Sequence, residues 1–300
     1  MKSFGTNISS TTSFILTGFP EIESLEHYLA FLLLLLYEQS LHQPMYYFLS
    51  LLSINDLGVS LSTLPTVLAS ILFHAKVITF DACLSQMFFI HFFSWTESGI
   101  LLAMSLDRYV AICNPLHYSS VLTDVRVAHM GTGLAVTARS FITLFPLPFL
   151  IKRLPICRSN VLSHSYCLHP DMMKLACADI TINSIYGLLV LVSTFGMDLF
   201  FIFLSYVLIL CSVMAIASHE ERLKAFNTCV SHILAVLAFY VPMIGVSIVH
   251  RFGKHAPRYI HVLMSNVYLF VPPVLNPLIY SAKTKEIRQA IIRIFHRIKM

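Results

Sequence analysis

Long apolar stretches constrain this chain more than any other feature of its sequence. A helix needs about 20 apolar residues to cross the hydrocarbon core of a bilayer, and six stretches of at least that length are separated by short polar segments. Only 12% of the 300 residues are charged, whereas roughly a quarter are charged in a soluble domain. The sequence therefore predicts an all-α membrane protein with spans at 45–73, 83–113, 125–149, 185–217, 226–249 and 259–280.

A seventh apolar stretch, residues 28–37, precedes the other six and is much shorter. As a helix it rises about 15 Å, which is half of the roughly 30 Å hydrocarbon core. Lengthening it toward the N-terminus would bury Glu26 and His27, and Glu38 closes its other end. We therefore expect a seven-transmembrane helix bundle over residues 25–280, with a shortened first helix.

The two ends of the chain flank this bundle. Residues 1–24 are polar and contain the glycosylation acceptor Asn7-Ile8-Ser9, which predicts an N-terminal tail outside the cell. Residues 281–300 carry six of the 20 Lys and Arg residues and an apolar stripe that starts at Ile287. This pattern predicts a short amphipathic C-terminal helix on the membrane lipids of the inner leaflet. No basic, aromatic-rich face indicates a nucleic-acid partner.

The segment 104–118, MSLDRYVAICNPLHY, ends one of the long apolar stretches. Because an arginine is costly within hydrocarbon, its Asp107-Arg108-Tyr109 triplet belongs at the membrane interface. The triplet alone fits equally well an arginine that reaches for lipid headgroups. The whole string, however, resembles the inner end of the third helix of odorant receptors, within the rhodopsin-like G-protein-coupled superfamily. KAFNTCVSH, at 224–232, matches their sixth-helix signature, and the resemblance extends from residue 41 to about residue 297.

This resemblance implies how the protein would signal. Arg108 would hold the inner end of the sixth helix at rest and release it when that helix swings outward. Pro242 interrupts the hydrogen bonds of the same helix and provides a pivot. The implied partner is a heterotrimeric G protein of the stimulatory olfactory type. The residues implied in coupling and activation are Asp107, Arg108, Tyr109, Tyr206, Lys224, His232, Asn276, Pro277 and Tyr280.

A ligand pocket is expected near the opposite ends of the helices. The string HRFG at 250–253 and the long cysteine-rich loop resemble class I odorant receptors, many of which sense small carboxylic acids. Arg251 would grip a carboxylate through two hydrogen bonds; the alternative is an arginine that anchors its helix at the interface. For Tyr240, ordinary core packing is an equal alternative to ligand sensing. The residues expected to bind a small odorant are Arg251, His169, His91, Tyr240 and Ser247.

Several ionisable residues lie inside the apolar stretches. Asp56 and Glu97 occupy positions that, by the resemblance, form a polar, sodium-binding site, and Asn276 would complete it. Oxygen ligands suit such a hard cation; two protonated, hydrogen-bonded carboxyls are the alternative, and no other cofactor is expected. Arg139 and Asp198 are also charged, and the sequence assigns neither of them a partner.

Four of the seven cysteines cluster in a way that suits an oxidising exterior, because three share one loop and the fourth begins a span. The resemblance pairs Cys83 with Cys167 and Cys157 with Cys177; free thiols are the alternative. Together with the acceptor at Asn7, this predicts a multi-pass plasma-membrane protein with its N-terminus outside.

Three alternatives to an odorant receptor are an intramembrane enzyme, a membrane transporter and a non-functional truncated receptor. An intramembrane enzyme would show a motif such as His-Glu-x-x-His or Gly-x-Ser-x-Gly, and neither occurs, so no enzyme is expected. A membrane transporter would show repeated halves, and no internal repeat is seen. The third is a non-functional truncated receptor, because the shortened first helix would impair folding or surface delivery.

Overall fold

The computed structural model describes residues 13–15, 44–72, 77–114, 122–157, 162, 166–216, 218–253 and 256–283. Within these residues, six helical segments are long and apolar enough to cross a membrane. They coincide with the six long apolar stretches and confirm the prediction of a helical membrane bundle. The predicted short first helix, the acceptor Asn7 and the predicted C-terminal amphipathic helix lie outside the described residues. The six spans are Tyr47–Ala69, Phe80–Cys113, His129–Lys152, Thr181–Ala215, His219–Phe252 and Tyr259–Ile279.

Among the described residues, the regular secondary structure is helical apart from one short strand pair. Strand β1 (Ser13–Ile15) pairs antiparallel with β2 (Val77–Thr79), which the sequence did not predict. The first helices are α1 (Pro44–Leu72), α2 (Phe80–Cys113), α3 (Leu122–Leu144), α4 (Pro146–Lys152) and α5 (His169–Lys174). They are followed by α6 (Thr181–Leu191), a π-helical turn (Val192–Gly196), α7 (Met197–Ala215), α8 (His219–Phe252) and α9 (Arg258–Lys283).

Helix α2 is the central element of the bundle. It contacts α1, α3, α7 and α8, and each residue from Ser94 to Leu101 is buried. A helix buried on all sides over two turns must be surrounded by other helices, because a helix at the periphery would show one exposed face. The hydroxyl of Thr79 accepts a hydrogen bond from the Ala82 amide and caps the start of α2.

The two ends of the bundle are distinct. Both predicted disulfides, Cys83–Cys167 and Cys157–Cys177, are present, and they lie at the end where α2 begins. The buried amide of Gln86 accepts a hydrogen bond from the Cys167 backbone and donates to Thr66 of α1, so it ties this loop to the bundle. We call this end the disulfide end. The other end, which carries Asp107, Arg108 and Tyr109, is the Asp-Arg-Tyr end.

Candidate functional site

A cavity of about 560 Å³ opens among the helices at the disulfide end. Four of the five predicted ligand residues line it: His91, His169, Ser247 and Arg251. Much of the remaining wall is apolar, so the cavity suits a small molecule with an apolar body and one polar group. The apolar wall includes Trp95, Leu144, Leu147, Val190, Leu191, Phe195 and Met243.

The charge around this cavity is positive. Lys174 and Arg251 line it, and none of the described lining residues carries a carboxylate. The Lys174 ammonium lies 3.1 Å from the Asp171 carboxylate, which neutralises it. Arg251 forms neither an ion pair nor a hydrogen bond with any residue in the described part of the chain. Of the two cations that line the cavity, Arg251 is therefore the one without a counter-charge among the described residues.

Two imidazoles present unpaired polar atoms in the same region. Both ring nitrogens of His91 and Nε2 of His169 are buried and lack a hydrogen-bond partner among the described residues. Burial, with smaller contributions from His91 and Arg251, lowers the pKa of His169 to about 3, so its imidazole is neutral at pH 7. Gly187 lets α6 approach this ring, since a Cβ there would lie 3.2 Å from Cε1 of His169. A polar ligand group would satisfy these buried atoms.

Tyr240, the fifth predicted ligand residue, does not line the cavity but lies in the layer beneath it. Trp95 and Phe195 form the floor, with ring centroids 4.4 Å apart. Phe195 contacts Tyr240 edge to face, at 6.2 Å between centroids. Phe195 belongs to the π-helical turn, a local irregularity that is often found at functional sites.

A polar network beneath the floor joins four helices. Two hydrogen bonds, of 2.7 and 2.8 Å, connect the Arg139 guanidinium of α3 to the Asp198 carboxylate of α7. Ser98 of α2 donates to the same carboxylate at 2.7 Å, and its oxygen lies 2.8 Å from the hydroxyl of Tyr240 in α8. The structure thus supplies partners for Arg139 and Asp198, which the sequence left unassigned. Two opposite charges inside separate apolar stretches are the signal that could have suggested this pair.

A second polar cluster lies between α1, α2 and α9. The Asn276 amide donates to the carboxylates of both Asp56 and Glu97, each at 3.2 Å. Its own Oδ1 is buried and has no partner within the described part of the chain. Two carboxylates and an orphaned amide oxygen form a donor set that fits a hard cation.

At the Asp-Arg-Tyr end, Asp107 contacts a residue that the sequence analysis did not single out. Nε2 of His129 in α3 lies 2.9 Å from Oδ1 of Asp107. The His129 ring stacks on Tyr47 and packs against Phe48, both from α1. His129 lies within the predicted stretch 125–149, where nothing in the sequence links it to Asp107, so only the fold identifies this contact.

The other predicted coupling residues are distributed over α2, α7, α8 and α9. The Tyr206 hydroxyl lies 2.7 Å from Nδ1 of His232, and their rings stack. Arg108 follows Asp107 near the end of α2, which contacts α8. Tyr109 is half-buried, and Pro277 lies within α9. Lys224 and Tyr280 occupy helical positions in α8 and α9, but their side chains lie outside the described part.

Comparisons with known proteins agree with this architecture. The sequence profile of the family described as "Olfactory receptor" matches residues 24–298. Olfactory receptor 51I2 of Homo sapiens is 72% identical over 310 residues, covering 98% of this chain and 99% of that protein. Olfactory receptor 51I1 of Homo sapiens is 64% identical over 269 residues, covering 90% of this chain and 85% of that protein. The crystal structure of squid rhodopsin superposes with a TM-score of 0.72 at 19% identity, covering 91% of this chain and 81% of that one, and shows the shared fold.

Proposed function

The chain belongs to the olfactory receptor family, and on that premise we propose that it binds small carboxylic acids at the disulfide end and activates a stimulatory, olfactory-type G protein. Members of this family are receptors rather than enzymes, and the chain is a multi-pass membrane protein. The proposal therefore concerns the class of odorant, the type of G protein and the residues that serve each of them.

The ligand proposal is carried by the guanidinium of Arg251, which has no ion-pair or hydrogen-bond partner among the described residues and lines a cavity whose described wall includes no carboxylate. A carboxylate is the group whose geometry matches a guanidinium, because both of its oxygens can accept parallel N–H bonds. The imidazoles of His91 and His169 would donate further hydrogen bonds to the same acid. The apolar wall would hold the aliphatic part of the odorant.

The polar network supports a route from this cavity to α8. A ligand that presses on Trp95 or Phe195 displaces the aromatic floor, and Phe195 packs directly on Tyr240. Tyr240 lies two residues before Pro242, where α8 lacks a backbone hydrogen bond. A shift of Tyr240 would therefore move the part of α8 that faces Arg108. Asp56 and Glu97 would hold a sodium ion, whose positive charge would offset their two carboxylates in the resting arrangement.

The same proposal fixes the orientation in the membrane. Two disulfides form readily in the oxidising lumen of the secretory pathway and outside the cell, which supports an extracellular disulfide end. The N-terminus with Asn7 then lies outside, and the Asp-Arg-Tyr end faces the cytoplasm and the G protein. The protein would act at the plasma membrane.

The test compares a carboxylic acid with its methyl ester on cells that report cyclic AMP. Replacing Arg251 by Gln should weaken the acid about ten- to a hundredfold and the ester much less, because one charge-assisted contact is lost. Replacing Arg251 by Lys should retain more potency for the acid than Gln does. Lysine keeps the positive charge but lacks the planar guanidinium that donates two parallel hydrogen bonds. The matched control is Lys174→Gln, because Asp171 already neutralises that cation. An equal loss for acid and ester would show that Arg251 only anchors its helix.

A second candidate, a receptor whose delivery to the surface is impaired, is favoured by one finding. The alignment with Olfactory receptor 51I2 extends over 310 residues, more than the 300 of this chain, so that relative has residues without a counterpart here. A shortened first helix would account for such a gap. Family membership, in contrast, gives no support to the transporter alternative.

A further inference from the structure

A second cavity, of about 350 Å³, lies on the outside of the bundle between the first turns of α2 and the corner where α3 meets α4. None of its described lining residues also lines the first cavity, at the disulfide end. At the corner, neighbouring residues line different cavities. Leu144 and Leu147 line the first cavity, and Phe145 and Pro148 line the second. The second cavity therefore opens away from the bundle, toward the hydrocarbon of the membrane.

Five phenylalanine rings form the wall of this outer groove. Phe141, Phe145 and Phe149 recur every four residues, with neighbouring centroids 5.6 and 5.1 Å apart. Phe88 of α2 meets Phe141 edge to face at 5.9 Å, and Phe89 lies next to Phe88. Eight residues at helical rise give an aromatic wall about 12 Å long. About half of the surface of Phe145 remains exposed, so the wall is available to a ligand.

The groove has one polar end. There Lys152 lies 3.3 Å from Asp81, and both side chains are mostly exposed. Asp81 is in the first turn of one span and Lys152 ends another, so the pair lies at the level of the bilayer interface. The groove thus has an ion pair at the interface and phenyl rings deeper in the hydrocarbon. This arrangement matches an amphiphilic molecule with a small polar group.

We propose that this groove binds a sterol. The rigid ring system would lie along the phenylalanine wall, and the hydroxyl would donate to Asp81 and accept from Lys152. A hydroxyl is both donor and acceptor, so one small group matches both members of the ion pair. A phospholipid phosphate, in contrast, would be attracted by Lys152 but repelled by the adjacent carboxylate of Asp81. A rigid body also loses less conformational freedom on binding than an acyl chain does.

The test uses a diazirine-bearing cholesterol analogue on the full-length receptor in cell membranes, with the cross-linked peptides identified by mass spectrometry. Labels should concentrate on the peptides that contain Phe88 and Phe145. Excess cholesterol should compete, while its 3α-hydroxy epimer, whose hydroxyl points away from the ion pair, should compete poorly. Phe145→Ala should reduce specific labelling about two- to tenfold, the range expected for one lost aromatic contact. Phe145→Leu, which keeps an apolar side chain and the fold, should reduce it less.

The matched control is Leu134→Ala, because Leu134 is a highly exposed apolar residue of α3 that does not line the groove. It should leave the labelling unchanged. Labels spread over all lipid-facing helices, or an equal loss in Leu134→Ala, would overturn the proposal and identify the groove as ordinary lipid-facing surface. Competition by phosphatidylcholine or by the epimer as effective as that by cholesterol would overturn it as well. This result is independent of which odorant the receptor binds.

Discussion

Breaking the Arg139–Asp198 pair should destabilise the receptor in an asymmetric way. The Asp198 side chain is only 2% exposed and accepts three hydrogen bonds, two from Arg139 and one from Ser98. Removing one partner of a fully buried pair costs about 3–5 kcal/mol, because a charge is left uncompensated in a medium of low polarity. This is an upper bound here, since 37% of the Arg139 side chain is exposed. The arginine cannot lose its proton, whereas a buried carboxyl can take one up and become neutral. Asp198→Asn should therefore cost more than Arg139→Gln.

The two changes should also fail to add. In the double variant Arg139→Gln/Asp198→Asn no charge remains, and neutral amides can bond to each other and to Ser98. We expect the double variant to be more stable than the sum of the single losses predicts, by about 0.5–3 kcal/mol, the range for residues in direct contact. The measurement is thermal unfolding of the detergent-solubilised receptor, monitored as the fraction of protein that stays monomeric at each temperature.

A matched control is the exposed pair of Lys152 and Asp81, whose atoms lie at a similar distance of 3.3 Å. Lys152→Gln should cost less than about 1 kcal/mol, because exposed pairs are weak. Additive losses in the Arg139–Asp198 cycle, to within about 0.5 kcal/mol, would refute the view that these groups stabilise the receptor as a pair. Equal losses for the two single variants would refute the argument about the proton.

Three further predictions concern the other polar sites and the first helix. His129→Phe keeps an aromatic ring against Tyr47 but removes the nitrogen next to Asp107. If this contact restrains Asp107 in the resting receptor, ligand-independent cyclic AMP should rise. Unchanged basal signalling would argue against such a role. If Asp56 helps to hold sodium, replacing external sodium by choline should alter the potency of agonists in the wild type and not in Asp56→Asn; equal shifts in both would contradict this site. A version of the chain with a full-length first helix should show more glycosylation at Asn7 and more surface signal, and equal maturation of the two forms would show that the short helix is tolerated.

The spans could be predicted from the sequence because their length and composition follow from the thickness of the hydrocarbon core alone. The cysteine pairs were available through the family resemblance, and the structure contains both. The polar pairs could not be predicted in the same way. Whether Arg139 meets Asp198, or His129 meets Asp107, depends on how each helix is rotated and tilted. The apolar residues that flank each of these side chains in the sequence do not indicate that rotation.

Local irregularities add to this difficulty. The π-helical turn changes the face that α7 presents, and it brings both Phe195 and Asp198 into the bundle. Residues 192–196, VSTFG, contain a glycine but no proline that would announce a break. The corner at Phe145 is different, since Pro146 and Pro148 mark it in the sequence. There the position of the break was predictable, whereas the separation of its residues between an inner cavity and an outer groove was not.

The location of the Arg139–Asp198 network explains why stability and signalling should be linked in this receptor. Between helices in lipid the hydrophobic effect supplies little attraction, so tight packing and interhelical hydrogen bonds must hold the bundle together. Here those bonds converge on one layer directly below the floor of the cavity, where Ser98, Asp198 and Tyr240 meet. A ligand can shift a conformational equilibrium only by as much as its affinity differs between the two states. In the proposed route, contact with Phe195 would offer such a difference, because moving this ring against Tyr240 would strain the hydrogen bond between Tyr240 and Ser98.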